Sequence, residues 1–235
     1  MESEFFQTTS YPELHEIVTE GGKDKHSLVD EVHDEILLRI IRGELEAGTE
    51  LKTTVLAKQL EVSRTPVMTA LARLAADGVV IQPLNLRAVV RSGAENWLVD
   101  IHEMRQLIEP VAARASAGKI PGEVWNDLRL LMKDAQPERE NPWQEAARYF
   151  DYALHLVVAE YCGNLPMREE IRRFWNYKRL SYREGQDTEA FLKEGYRQHV
   201  VILAALGDGD GEKAEELMSK HLQSAGKLKP GQRIL

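Results

Sequence analysis

Apolar residues recur at helical spacing along most of the chain. From Ser27 onward, Leu28, Val32, Ile36, Leu37, Ile40 and Ile41 fall on one helix face, with Ser27 and Asp30 placed as an N-terminal capping pair. After the connection 43–48, Thr53 or Thr54 can cap a short helix reaching Leu60, and Ser63 a longer one reaching Ala76. Gly78 stands just past its end, and Pro66 sits in its first turn, where a missing N–H costs little. Two β-branched runs, 79–82 and 87–91, are separated by Pro83, Leu84, Asn85 and Leu86 and predict a small hairpin.

From Ser92 and Gly93 onward the pattern stays helical. Six periodic segments lie at about 95–117, 121–135, 142–162, 166–183, 188–206 and 212–225, with breaks rich in Gly and Pro between most of them. Short connections of this kind favour antiparallel packing. The expected fold is mainly α: an N-terminal arm at 1–24, a three-helix unit with a hairpin at 25–93, an antiparallel all-α bundle at 94–227 and a C-terminal tail at 228–235.

Composition narrows the class of protein. The chain has 235 residues, 43% hydrophobic and 29% charged, which is a globular composition and excludes collagen, a disulfide scaffold and a disordered tail. The lone Cys162 cannot form an intrachain bridge, and the acidic first 24 residues lack a secretory h-region, so a cytoplasmic setting is expected. No apolar run approaches the roughly 20 residues that span a bilayer. The net charge of −8 argues against nucleic acid until it is read by segment. Between Leu51 and Gly93, Lys52, Lys58, Arg64, Arg73, Arg87 and Arg91 face only Glu61 and Asp77. A basic patch on an acidic protein suits a segment that meets phosphates.

A helix, a tight turn and a second helix can lay the second helix in the DNA major groove, with its first residues on base edges and phosphates. Here those residues are Ser63, Arg64 and Thr65. Arg64 can fork onto guanine, while the two hydroxyls suit phosphate oxygens; the bland alternative is a cap and a solvated charge. The stretch VLAKQLEVSRTPVMTALARLAADGVV, with GELEAGTEL before it and RAVV after it, resembles the winged helix-turn-helix of the GntR family of bacterial transcription regulators. That resemblance assigns Ser63, Arg64 and Thr65 to DNA and the Arg87 region to the wing, with Arg73 a further basic contact. It implies a homodimer on a palindromic double-stranded operator. Met68 departs from the family's usual arginine after P-V, Thr53, Thr54 and Val55 replace a segment that often carries another, and the wing lacks the usual glycine.

In the helical half, polar residues stand where a bundle prefers leucine. Asp151 and His155 are four apart and border the apolar stripe of Trp143, Ala147, Phe150, Leu154, Val157 and Tyr161. His199 lies among Tyr196, Val200 and Leu203, and His221 among Leu217, Met218 and Leu222. Groups buried in this way either pair or ligate a metal. His15, His26, His33 and His102 read as ordinary hydrogen-bonded histidines. Asp151 and His155, followed by His199 and His221 with Gly163 and Asn164 between, resemble the FCD ligand-binding domain of the FadR-type branch of the same family. The resemblance implies a divalent ion on those four residues. Nitrogen donors of this kind do not choose sharply among Zn²⁺, Ni²⁺ and Mn²⁺, and four ligands leave a position open.

Arg105, in register with Ile101 and Ile108, is expected to point inward, and MRQLIEPVAAR resembles the first FCD helix, whose arginine often holds the effector. A small carboxylate is the expected ligand, with Asn164 a second contact; the alternatives are an internal ion pair of Arg105 with Asp151 or Glu109, and a helix-capping Asn164. Two other classes share the four ligands: a metalloenzyme, for which no H-E-x-x-H motif or suitably placed base appears, since Glu160 lies off the His155 face, and a metal-only sensor, which leaves Arg105 without a role.

Overall fold

The computed structural model describes residues 10–19, 27–83, 86–137, 143–183 and 188–227. The chain divides into two compact units, one formed by Lys25–Asp100 and the other by Ile101–Leu235 together with the chain's opening segment.

The first unit follows the sequence pattern closely. Helix α2 (Leu28–Ile41) is opened by the Ser27 and Asp30 capping box, α3 (Thr53–Gln59) is short, and α4 (Arg64–Asp77) ends at Gly78. Gly78 has φ of +90°, a left-handed conformation that glycine adopts without a steric penalty. Two capping expectations differ. Lys52, not a threonine, holds the N-cap position of α3, and neither Lys52 nor Ser63 makes a side-chain cap bond. The hairpin is β2 (Val80–Ile81) against β3 (Ala88–Val90), and β1 (Glu50–Leu51) pairs with the other edge of β3, giving the order β1-β3-β2. Two residues carry no periodicity, so β1 was invisible in the sequence. Val67, Ala70, Leu71 and Leu74 of α4 pack inward with Ile36, Leu37 and Ile40 of α2 among the buried residues.

The second unit contains α5 (Trp97–Ser116), which starts in the first, then α6 (Gly122–Asp134), α7 (Trp143–Tyr161), α8 (Leu165–Arg183), α9 (Glu189–Gly207) and α10 (Gly211–Lys227). All six expected helices are present. Helix α7 is central: from Tyr152 to Ala159 every residue is buried, as expected for a helix surrounded by others. Gly207 of α9 is needed for close approach, because a Cβ there would collide with the Trp125 ring. Among the described residues no helix is long and apolar enough to cross a membrane.

The expected arm at 1–24 needs correction over its described part. Residues Pro12–Val18 form α1, which packs on α6 and α7, with Leu14 fully buried and Tyr11 nearly so. Its ends are held by side chains of matching charge. Asp127 accepts the N–H groups of Glu13 and Leu14 at 2.9 and 3.4 Å, and both terminal amino groups of Arg172 donate to the Ile17 carbonyl at 2.9 Å. An anion at a helix start and a cation at its end complement the backbone dipole. The Tyr11 hydroxyl donates to Asp134. The unit boundary also falls at Asp100 rather than at 93, because the turn 94–96 and the start of α5 pack with the first unit. The tail 228–235, Leu84 and Asn85 of the wing, and His26 lie outside the described residues.

Candidate metal centre and nucleic-acid interface

In the helical unit, α7, α9 and α10 bring Asp151, His155, His199 and His221 together, each offering one donor atom, all within 4.8 Å of one another. His199 Nε2 lies 3.1 Å from Asp151 Oδ1 and 3.1 Å from His221 Nε2, and His155 Nε2 lies 3.5 Å from Asp151 Oδ1. Donors about 2.1 Å from a shared cation stand about 3.0 to 3.4 Å apart, so the two 3.1 Å separations fit one ion and the 3.5 Å separation lies just beyond that range.

The outer nitrogens fix which atoms face inward. His155 Nδ1 donates to Glu109 and His221 Nδ1 donates to Gln198 Oε1 at 2.8 Å, leaving lone pairs on both Nε2 atoms. Gln198 is oriented in turn, its amide donating to Glu194 at 2.9 Å and to Ser224 at 3.0 Å. His155 Nε2 is fully buried and has no hydrogen-bond partner among the described residues. A buried lone pair without a donor is costly. A cation would satisfy it, which is the sense in which the residues fit a metal.

Electrostatics favour the ligating forms. Burial holds His155 below the ordinary histidine range, against the pull of Glu109, and burial together with His199 and His155 pushes His221 well below it. Burial alone would raise the Asp151 carboxyl, but His199, His155 and Lys178 outweigh it and hold the group well below the usual carboxylate range.

Arg105 and Glu109 of α5 are buried, at 2% and 1% exposure. Arg105 Nε donates to Glu109 Oε1 at 2.5 Å, Trp175 Nε1 donates to the same oxygen at 3.0 Å, and the guanidinium lies 4.1 Å from the centre of a Trp175 ring. Arg105 and His155 outweigh burial and hold the Glu109 carboxyl at about 2. The internal pair with Glu109 is therefore present. It occupies only Nε; the two terminal amino groups of Arg105 have no hydrogen-bond partner among the described residues. Asn164 is exposed and its Oδ1 accepts from the Met167 N–H at 3.1 Å, so its side chain caps α8, which is the alternative to an effector contact. Glu160 pairs with Arg168 and Arg172, and His102 hydrogen-bonds the Leu222 carbonyl at 2.9 Å.

In the first unit, Ser63, Arg64 and Thr65 are all exposed at the start of α4, and Arg64 and Ser63 have no side-chain partner among the described residues. The two other candidate cations are held. Arg73 pairs with Asp30 at 2.5 Å and Arg87 with Glu50 at 2.6 Å. Both pairs are exposed, where an ion pair is worth about 0 to 1 kcal/mol, so a phosphate can displace the carboxylate.

Residues 28–82 match the family described as bacterial regulatory proteins, gntR family, and residues 100–224 match the FCD domain. The chain is an FCD-domain member of the gntR family. Curated relatives of this gntR-family protein include a probable D-xylose utilization operon transcriptional repressor of Paenarthrobacter nicotinovorans, 26% identical over 83% of this chain and 86% of that one. Another is a putative L-lactate dehydrogenase operon regulatory protein of Escherichia coli, 26% identical over 83% of each. Among solved structures, E. coli McbR/YncC shares the fold, with a TM-score of 0.58 at 22% identity over 86% of this chain and 97% of that one.

Three residues that shape the FCD site were not assigned to it from sequence. Glu109 had a signal, its i+4 spacing from Arg105, but was weighed only as a partner of that arginine. Gln198 adjoins His199 and Trp175 lies in an unremarkable apolar position, so neither advertises a role.

Proposed function

We propose that this gntR-family protein is a ligand-responsive transcription regulator that binds a palindromic operator as a homodimer through α4. In this reading its FCD domain holds a divalent cation on Asp151, His155, His199 and His221, and a small carboxylate is the effector. The observation that carries the metal is His155 Nε2, a buried nitrogen with its opposite nitrogen committed to Glu109 and no hydrogen-bond partner among the described residues. When bound, the ion supplies positive charge and a coordination position open to an anion.

The rest of the effector site falls to the chain. The terminal amino groups of Arg105, without a hydrogen-bond partner among the described residues, match a carboxylate bidentately, and Glu109 and Trp175 fix the guanidinium so that little ordering is required on binding. The relatives' names span a sugar operon and a lactate operon, so the preference for an anion rests on Arg105 and the metal. At the DNA end, the exposed Arg64, without a side-chain partner among the described residues, and the absence of a Ser63 side-chain cap on α4 support groove and phosphate contact.

The test is elemental analysis of protein purified without chelator, followed by thermal shift with mono-, di- and hydroxycarboxylates on the metal-loaded and chelated forms. About one divalent ion per chain, with carboxylates stabilising only the loaded form, is the expected result. Absence of metal, or stabilisation by neutral compounds alone, refutes the reading. A metal-only sensor would show the ion without any carboxylate response, and turnover of esters in the same screen would favour an enzyme.

A further inference from the structure

We propose that Met68 determines operator specificity by packing on the C5-methyl group of a thymine one or two base pairs from the base read by Arg64. The inference rests on the reading of α4 as the helix that enters the major groove.

Helix α4 buries Pro66, Val67, Ala70, Leu71 and Leu74 and turns Arg64, Thr65, Met68, Thr69, Ala72 and Arg73 outward. Met68 is 56% exposed, one of the most open large apolar side chains described. It stands four residues from Arg64 and therefore on the same face. Thr69 spends its hydroxyl on its own helix, donating to the Thr65 carbonyl at 3.2 Å, so its methyl group is the part left to meet a partner. Arg73, at the far end of the face, is paired with Asp30. The outward face is thus a free cation at one end, an apolar middle made by Met68, Thr69 and Ala72, and a neutralised cation at the other.

Among the groups displayed in the major groove, only the thymine methyl is apolar; the remainder are hydrogen-bond donors and acceptors. Pressing a thioether on a guanine edge or a phosphate would strip water from polar atoms and return nothing. The free Arg64 supplies the charge complementarity that brings this face to DNA, and Met68 then discriminates among sequences. Four residues of helix rise about 6 Å, close to two base-pair steps of about 3.4 Å, which sets the separation of the two contacts.

The experiment uses the full-length protein. Operator half-sites are selected from a random duplex library, and each selected thymine is then replaced singly by deoxyuridine, which removes only the methyl group. For the wild type, one thymine near the Arg64 base should give about fourfold weaker binding, the size of one buried methyl group. Met68→Ala should bind dT and dU at that position equally, and Met68→Leu should restore the preference. Met68 is on the surface, so these variants keep the fold. If no thymine distinguishes dT from dU in the wild type, or if Met68→Ala keeps the preference, the proposal is overturned while DNA binding by α4 stands. If the wild type enriches no sequence at all, the placement of α4 in the groove fails, and the proposal with it.

Discussion

Replacing Glu109 by glutamine separates two roles of one buried carboxylate. The carboxylate accepts from Arg105 Nε and Trp175 Nε1 on one oxygen and from His155 Nδ1 on the other. Glutamine can keep the first oxygen as a carbonyl, but it then points an NH2 group at the His155 N–H. The imidazole relieves two opposed donors by moving its proton to Nε2, where it faces Asp151 and the lone pair needed for a metal is gone. Loss of such an outer partner lowers metal affinity by about 10- to 100-fold. Independently, a guanidinium at 2% exposure loses its only ion-pair partner among the described residues. Orphaning a buried charge costs about 3 to 5 kcal/mol.

The two effects can be told apart. Chelator competition measures metal affinity, and urea unfolding of the metal-free protein measures stability. Glu109→Gln should lose both. The double variant Arg105→Met with Glu109→Gln should recover most of the stability, since no buried charge is left alone, yet bind metal as weakly as the single variant. Wild-type metal affinity in Glu109→Gln would refute the argument that this carboxylate sets the His155 tautomer.

Other outcomes follow from the same geometry. Arg64→Ala should lower operator affinity by about 1 to 3 kcal/mol per contacted base, read by fluorescence anisotropy, with an unchanged melting curve because the side chain is exposed. Arg105→Lys keeps the charge beside Glu109 but loses the planar fork, so metal and DNA binding should persist while the carboxylate response disappears in calorimetry. Asp127→Asn should cost about 1 kcal/mol in urea unfolding, because it weakens the charged cap on α1. Burial keeps His155 and His221 below the ordinary histidine value, so as pH falls below about 6.5 the unfolded chain takes up protons first. Metal-free protein should therefore show its full histidine contribution above that pH and lose stability below it; a urea midpoint unchanged between pH 7.5 and 5.5 would contradict this.

The fold was legible where periodicity runs long. The six helices of the FCD domain and the α2–α4 unit follow from apolar spacing and Gly or Pro breaks, because each helix has one face to bury. Helix α1 was missed because seven residues, with Leu14, Ile17 and Val18 as their apolar spacing, resemble a tail; what fixes them is Asp127 and Arg172, distant in sequence. The four clustered donors were legible because histidines among leucines conflict with the local pattern. Trp175 and Gln198 were not, since their importance lies in what they orient. Arg73 and Arg87 are expected from the sequence at the DNA, but their ion-pair partners Asp30 and Glu50 lie 43 and 37 residues away, beyond any local spacing rule.

The measurement that bears most directly on a metal-dependent, carboxylate-responsive regulator is a titration of the selected operator with metal-loaded and chelated protein, each with and without the carboxylate that gives the largest thermal shift. The account predicts a change in operator affinity of about 5- to 150-fold on adding the carboxylate to the loaded protein, and no change for the chelated protein. An identical response in the two forms, or operator affinity indifferent to every carboxylate, would contradict it.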